Sequence, residues 1–245
     1  MLKKRIIITL CLKDGVLFRT KKFRPDYRYT KNFVDLWHLD ELILLDISEK
    51  KFQNNFINNI KRFSKKFLVP LTVGGGIQKL EDVKKLMDAG ADKVVINTGA
   101  DDNKRLINEI SRNYGSQAII SSIDCKLINN KYYVMKNHGK KIIKSSPLKW
   151  AKQCVDKGAG ELLINNIDND GSLLGYDIKL INLFSKKFNL PILALGGAGN
   201  WQHILELFKY TDISGACTQN IYHFTNQSLL SLKNFLKRNK INIRN

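Results

Sequence analysis

No stretch of this chain reaches 18 uninterrupted apolar residues, so its pattern offers no membrane-spanning helix. Its opening residues, MLKKRIIITLCLKDG, turn polar too soon for a secretory signal peptide. Both absences point to a soluble cytoplasmic protein. Cysteine is scarce: Cys11, Cys125, Cys154 and Cys217 lie far apart and form no CxxC pair. Zinc-ribbon and redox-motif readings are thereby excluded, and neither a metal nor a cofactor is called for. Three of the four cysteines sit in apolar, strand-like runs, as reduced cytosolic thiols do. Acidic residues are in the minority, 22 against 41 basic, for a net charge of +19. Such an excess suits a nucleic-acid surface. Here, however, the lysines are dispersed in pairs on helical stretches, such as Lys50-Lys51, Lys84-Lys85 and Lys186-Lys187, and no nucleic-acid motif is present. They read as a solvated face, compatible with an anionic substrate or partner but not with a nucleic-acid or membrane protein.

What the chain does have is alternation. Short runs rich in β-branched residues occur at Ile6–Lys13, Leu42–Ile47, Leu71–Gly75, Lys93–Thr98, Gln117–Cys125, Glu161–Ile167, Ile192–Gly196 and Ile213–Thr218. Most are apolar nearly throughout, as parallel strands covered on both faces should be. Helical spacing appears between them, for example over Leu80–Ala89, Pro147–Lys157, Asp177–Phe188 and Trp201–Phe208. Eight such units in 245 residues fit one α/β domain over residues 1–245, a (β/α)8 TIM barrel with its helices outside. An open doubly wound sheet is disfavoured, because no GxGxxG turn follows the first strand. The stretch Asn129–Ser145 reads as a hairpin after strand five, Lys131–Lys136 and Lys140–Lys144 around the turn Asn137-His138-Gly139.

An internal repeat supports the barrel. Asp46 and Asp168, Gly74-Gly75 and Gly196-Gly197, and Asn97 and Gln219 share one separation of 122 residues. Two four-unit halves with a common offset imply pseudo-twofold half-barrels.

Chemistry in such barrels occupies the C-terminal ends of the strands. Two glycine-rich turns lie there, Val73-Gly74-Gly75-Gly76 and Leu195-Gly196-Gly197-Ala198-Gly199. Backbone N–H groups of such turns can approach an anion closely. Glycine also serves tight turns, but two pairs related by the repeat favour two phosphate sites on one mouth. Asp46, Asp124, Asp168 and Asp170 end strands two, five and six, where a carboxylate can move protons or hold hydroxyls. The competing role is capping of the next loop or helix. Asp124, deep in its apolar run, reads as chemical; for Asp46 and Asp170 both roles stand.

A resemblance rests on collinear strings that span essentially the whole chain. They include Lys4-Arg5-Ile6-Ile7, Lys13-Asp14-Gly15, Thr72-Val73-Gly74-Gly75-Gly76-Ile77, Ala91-Asp92-Lys93-Val94 and Ile96-Asn97-Thr98. Further along come Gly115-Ser116-Gln117-Ala118, Ile167-Asp168-Asn169-Asp170-Gly171, Gly175-Tyr176-Asp177 and Gly196-Gly197-Ala198-Gly199. In these the chain resembles the cyclase subunit of imidazole glycerol phosphate synthase. The resemblance implies a lyase-type cyclase of histidine biosynthesis that takes ammonia from a glutaminase subunit and acts on a bisphosphate with two aspartates. One of them corresponds to Asp124. At the other position this chain has Cys11, and a thiol in an apolar strand is pushed toward its neutral form. The resemblance also implies a phosphate and substrate set of Arg19, Asp46, Gly75, Gly76, Asn97, Thr98, Asp170, Gly196, Gly197 and Asn220. Within it Leu195 and Asn220 stand where the family pattern has serine, and Arg19 stands for a lysine.

Arg5, Glu41, Lys93 and Glu161 fall at the starts of strands one, two, four and six. Isolated surface pairs of this kind contribute little. The resemblance instead implies a charged ring gating ammonia at the barrel floor. Floor kept and one carboxylate lost is the pattern of a relative that supplies nitrogen, with a sugar amidotransferase, to surface-polysaccharide sugars. An authentic cyclase yielding imidazole glycerol phosphate and AICAR is the alternative, and a scaffold that only activates its glutaminase is the third.

Overall fold

The computed structural model describes residues 3–28, 38–219 and 229–244. Along the chain run β1 (Arg5–Lys13), β2 (Val16–Lys21), β3 (Arg24–Arg28), β4 (Glu41–Asp46), α1 (Asn54–Lys66), β5 (Leu71–Gly74), α2 (Leu80–Asp88), β6 (Lys93–Ile96), α3 (Thr98–Asp102), α4 (Leu106–Tyr114) and β7 (Ile119–Ile128). Then follow β8 (Lys131–Lys136), β9 (Lys141–Ile142), α5 (Pro147–Asp156), β10 (Glu161–Asn166), α6 (Ile178–Ser185), β11 (Ile192–Leu195), α7 (Trp201–Tyr210), β12 (Gly215–Thr218) and α8 (Leu229–Arg238). Eight of the strands pair in parallel in the order β1-β4-β5-β6-β7-β10-β11-β12, and β12 returns to β1. The sheet therefore closes as the (β/α)8 barrel that the alternation implies.

Strand period sorts the side chains into two cores. On β1, Ile6, Ile8, Leu10 and Leu12 face outward into a core shared with helix residues such as Phe56, Ile60, Phe184 and Leu232. Ile7 faces inward and joins Ile43, Val95, Ile120, Leu163, Leu193 and Cys217 in a separate cluster inside the barrel. Both faces of the strands are thus dry, which is why their sequences are apolar nearly throughout. Each fully buried Leu or Ile contributes roughly 1.5–3 kcal/mol, so the outer layer dominates the stability.

The helices start with recognisable chemistry. Pro147 opens α5. Asn200 caps α7 by accepting from the His203 amide at 3.0 Å, and the Asp82 carboxylate turns back onto the Gln78 and Lys79 amides ahead of α2.

Two hairpins rise from the C-terminal ends of the strands. The first, β2–β3, pairs with β1 and has no counterpart in the sequence reading. The second differs from expectation in extent. Strand β7 runs on to Ile128 and pairs with β8, so the excursion is a three-stranded meander. Its last strand is only Lys141–Ile142, and Lys140 belongs to the turn because Lys136 pairs with Lys141.

The two glycine turns are sites of close backbone approach. Gly75 has φ +104, and a Cβ there would lie 2.2 Å from the Asp46 carbonyl oxygen. Gly197 has φ +105, with the Gly175 carbonyl oxygen at 1.9 Å from such a Cβ. No other residue fits either place.

Candidate functional site

At the C-terminal end of the barrel lies a cavity of about 620 Å3. Cys11, Asp46, Gly75, Gly76, Asn97, Thr98, Asp124, Asp170, Gly196 and Gly197 all line it, so the sequence-derived residues on seven different segments come together in one place. Arg19 does not line the cavity; it lies on β2, where its guanidinium pairs with the Asp26 carboxylate. Asn220 lies outside the described residues.

Asp124 sits low in the wall, on β7. Ser122, two residues earlier and so on the same face of the strand, donates its hydroxyl at 2.8 Å. Asn97, which follows β6, donates its amide at 2.6 Å. Asn165 is the residue paired with Asp124 across to β10 and also donates to it. Burial nevertheless wins: the Asp124 carboxyl is raised to about 6, despite Ser122, Asn165 and Asn97 and with a small push from the Asp170 charge. A carboxyl at that value can accept and return a proton near neutral pH.

Across the cavity Cys11 offers nothing comparable. Burial pushes its thiol up to about 12, the Asp170 charge adds to that, and a hydrogen bond with Thr20 opposes it only weakly. The group is a neutral thiol at any physiological pH.

The remaining aspartates hold loops. Both oxygens of Asp46 accept backbone amides of its own loop, Ser48 at 3.0 Å and Phe52 at 2.8 Å. Asp170 accepts from the Phe23 amide at 2.9 Å and from Thr20 at 3.1 Å, which fastens the β2–β3 hairpin over the mouth. Burial raises the Asp170 carboxyl, against those two donors and the Arg19 charge. Asp168 accepts from the Leu127 amide at 3.0 Å, beside the second hairpin.

At the opposite end of the barrel, four side chains form a closed ring. Arg5 bonds Glu41 at 2.5 Å and Glu161 at 3.1 Å, and Lys93 approaches Glu161 at 2.5 Å and Glu41 at 3.6 Å. Signs alternate around it. Burial pulls the Arg5 pKa down, but Glu161 and Glu41 outweigh burial and it ends raised. Two residues further along each of these strands come Ile7, Ile43, Val95 and Leu163 of the inner apolar cluster. Two further still come Thr9, Leu45, Asn97 and Asn165, on the cavity wall. From floor to mouth the interior is therefore charged, then apolar, then polar, over about 13 Å of strand.

These features have close parallels among known proteins. The family described as histidine biosynthesis protein matches residues 5–228. The chain belongs to that family. It is 41% identical over 251 residues to the imidazole glycerol phosphate synthase subunit HisF of Hydrogenobaculum sp., with all of both proteins covered. The same subunit of Sulfolobus acidocaldarius is 38% identical over 250 residues, and that of Flavobacterium johnsoniae 36% over 251, again over the whole of each protein. The chain is thus a HisF-like member of the histidine biosynthesis family.

Four residues of the site escaped the sequence reading. Ser122 was findable, since a hydroxyl two residues from a strand carboxylate must share its face. Asn165 was not, because its meeting with Asp124 depends on the register between β7 and β10. Nor were Lys51 and His138, which reach the cavity from loops. Among the described residues no helix is long and apolar enough to cross a membrane.

Proposed function

We propose that this barrel takes ammonia at its floor from a glutaminase subunit and conducts it to its mouth, where a phosphorylated substrate binds and Asp124 is the acid–base group. The closed ring of Arg5, Glu41, Lys93 and Glu161 beneath a dry core carries the reading. Ammonia is small and neutral, whereas moving ammonium through the apolar layer costs far more than the layer can return. A ring of alternating signs closes the entrance yet can rearrange pairwise without exposing an unpaired charge.

At the mouth, the cyclase reaction needs proton transfer on two sides of the substrate. Asp124 supplies one. Cys11 stands where the family pattern has the other aspartate, and its neutral thiol cannot act as a base. Cyclase turnover is accordingly weak, and ammonia passes on to a sugar amidotransferase that serves surface-polysaccharide sugars. A second reading, favoured by the full-length identity to HisF subunits, is an ordinary cyclase that relies on Asp124 alone. Purified protein supplied with ammonium salt and the bisphosphate substrate separates the two. Slow product formation supports the first reading, and turnover at an ordinary cyclase rate overturns it in favour of the second.

A further inference from the structure

Two basic side chains at the mouth have no part in the proton chemistry of Asp124. Lys51 precedes α1, and its stem crosses the face of Gly76: a Cβ on that glycine would lie 2.7–2.9 Å from three of its carbons. The Lys51 ammonium donates at 3.0 Å to the Asp46 carbonyl, the same oxygen against which Gly75 packs. His138 comes from the other side, at the tip of the turn between β8 and β9, with φ 56. That tip is pinned above the start of α3 by the Asn137 amide, which donates to the Thr98 hydroxyl at 3.0 Å. A non-glycine residue held in the left-handed region is strained, and here that turn places His138 on the cavity wall.

We propose that Lys51 and His138 clamp one phosphate of the substrate against the Gly75-Gly76 turn, His138 taking up a proton from solvent as the phosphate arrives. The proposal rests on the phosphorylated-substrate reading above and names the residues that select a phosphomonoester at this end of the mouth. Around His138 the charges are Lys51 from the loop before α1 and Lys140 from its own turn, with Glu49, Lys79 and Asp82 elsewhere on the wall. Burial lowers the His138 pKa, and Lys51 and Lys140 lower it further, so the ring is neutral in the empty site. A phosphate between the two side chains reverses the local field and supplies acceptors for a ring that donates from both nitrogens once protonated. The resulting hydrogen bonds are charge-assisted on both sides.

The test uses inorganic sulfate on the whole protein, because sulfate remains fully ionised between about pH 5 and 8, the range in which histidine titrates. Sulfate affinity is measured by calorimetry, and the His138 ring is followed by proton NMR, with His138→Asn used to assign its signal. Asparagine tolerates the left-handed turn, so that variant keeps the hairpin. Saturating sulfate should raise the His138 pKa, and binding should strengthen as pH falls through the raised value. Lys51→Met should weaken binding about ten-fold or more, and His138→Asn should abolish the pH dependence. If sulfate binds but neither variant changes it and the His138 signal does not move, the clamp is overturned while the phosphate-binding mouth stands. If sulfate and phosphate both fail to bind the wild-type protein, the clamp is overturned and the substrate reading is weakened with it. Should Lys51→Met fail to fold, the titration of His138 in the wild-type protein still decides.

Discussion

Cys11 and Asp124 stand diametrically opposite in the barrel wall, four strands apart in either direction. One is a thiol pushed up to about 12 and the other a carboxyl raised to about 6. Of this opposed pair, only Asp124 can exchange protons near neutrality. Replacing Cys11 by aspartate should supply a second such group and raise ammonium-driven cyclase turnover about 100-fold. A folded Cys11→Asp protein that binds the bisphosphate but turns over no faster would show that the acid–base defect lies elsewhere.

The Asp124 carboxyl contributes a pH dependence to both chemistry and stability. Below about 6 it is protonated and cannot act as a base, so turnover corrected for the free ammonia present should fall on the acid side with a midpoint near 6. Asp124→Asn should lower turnover about 100-fold or more and remove that limb. For stability the sign follows from the raised value: the folded protein holds a proton that the unfolded chain, near 3.8, releases. This stabilisation is complete below about pH 4 and is lost as pH rises through 6, about 3 kcal/mol in all. Melting of wild-type and Asp124→Asn proteins at pH 4 and pH 8 should show the wild-type advantage shrinking at the higher pH. An advantage that stays constant contradicts the assignment.

Asp170 holds the first hairpin rather than standing free in the mouth. Its replacement by alanine strands the Phe23 amide and the Thr20 hydroxyl. The expected cost is about 1–3 kcal/mol, with faster hydrogen exchange concentrated at Phe23. Exchange that accelerates evenly across the barrel would mean the contact is not local.

The barrel was legible because its information is periodic. Strands dry on both faces leave apolar runs that no loop imitates, and the repeat of 122 residues marks both halves. The hairpin β2–β3 was not legible, for reasons visible in its residues. Arg24–Arg28 is exposed throughout and contains Pro25, so it shows no alternation. Its turn uses Lys22 and Phe23 at φ 50 and 64 where the usual signal is Asn-Gly. What holds that turn is Asp170, 147 residues beyond Phe23. Asp46 and Asp170 were ambiguous for the same reason. A carboxylate at a strand end is equally suited to a loop amide or a substrate, and only tertiary contacts decide. The floor ring could be placed at strand starts from sequence, but its closure depends on β1, β4, β6 and β10 bringing their first residues together.

The floor ring is also a structural element, because removing one member leaves its neighbours charged and buried. Arg5→Met, which takes from Glu41 and Glu161 their more buried partner and leaves Lys93 alone between them, should cost about 3–5 kcal/mol. Lys93 is more exposed than the other three, with its side chain 16% accessible, so Lys93→Ala should be the milder change. Urea unfolding of the two variants checks the order, and a larger loss for Lys93→Ala would contradict it.

Entry of nitrogen through the floor of the barrel is open to a direct test. Lys93→Ala, reconstituted with the glutaminase partner, should be compared with wild-type protein for nitrogen transfer from glutamine and from added ammonium salt. On the proposed route, ammonium reaches the mouth through solvent, whereas ammonia released from glutamine passes the floor. The glutamine-driven rate should fall several-fold more than the ammonium-driven rate. Equal losses in both would contradict passage through the ring of Arg5, Glu41, Lys93 and Glu161.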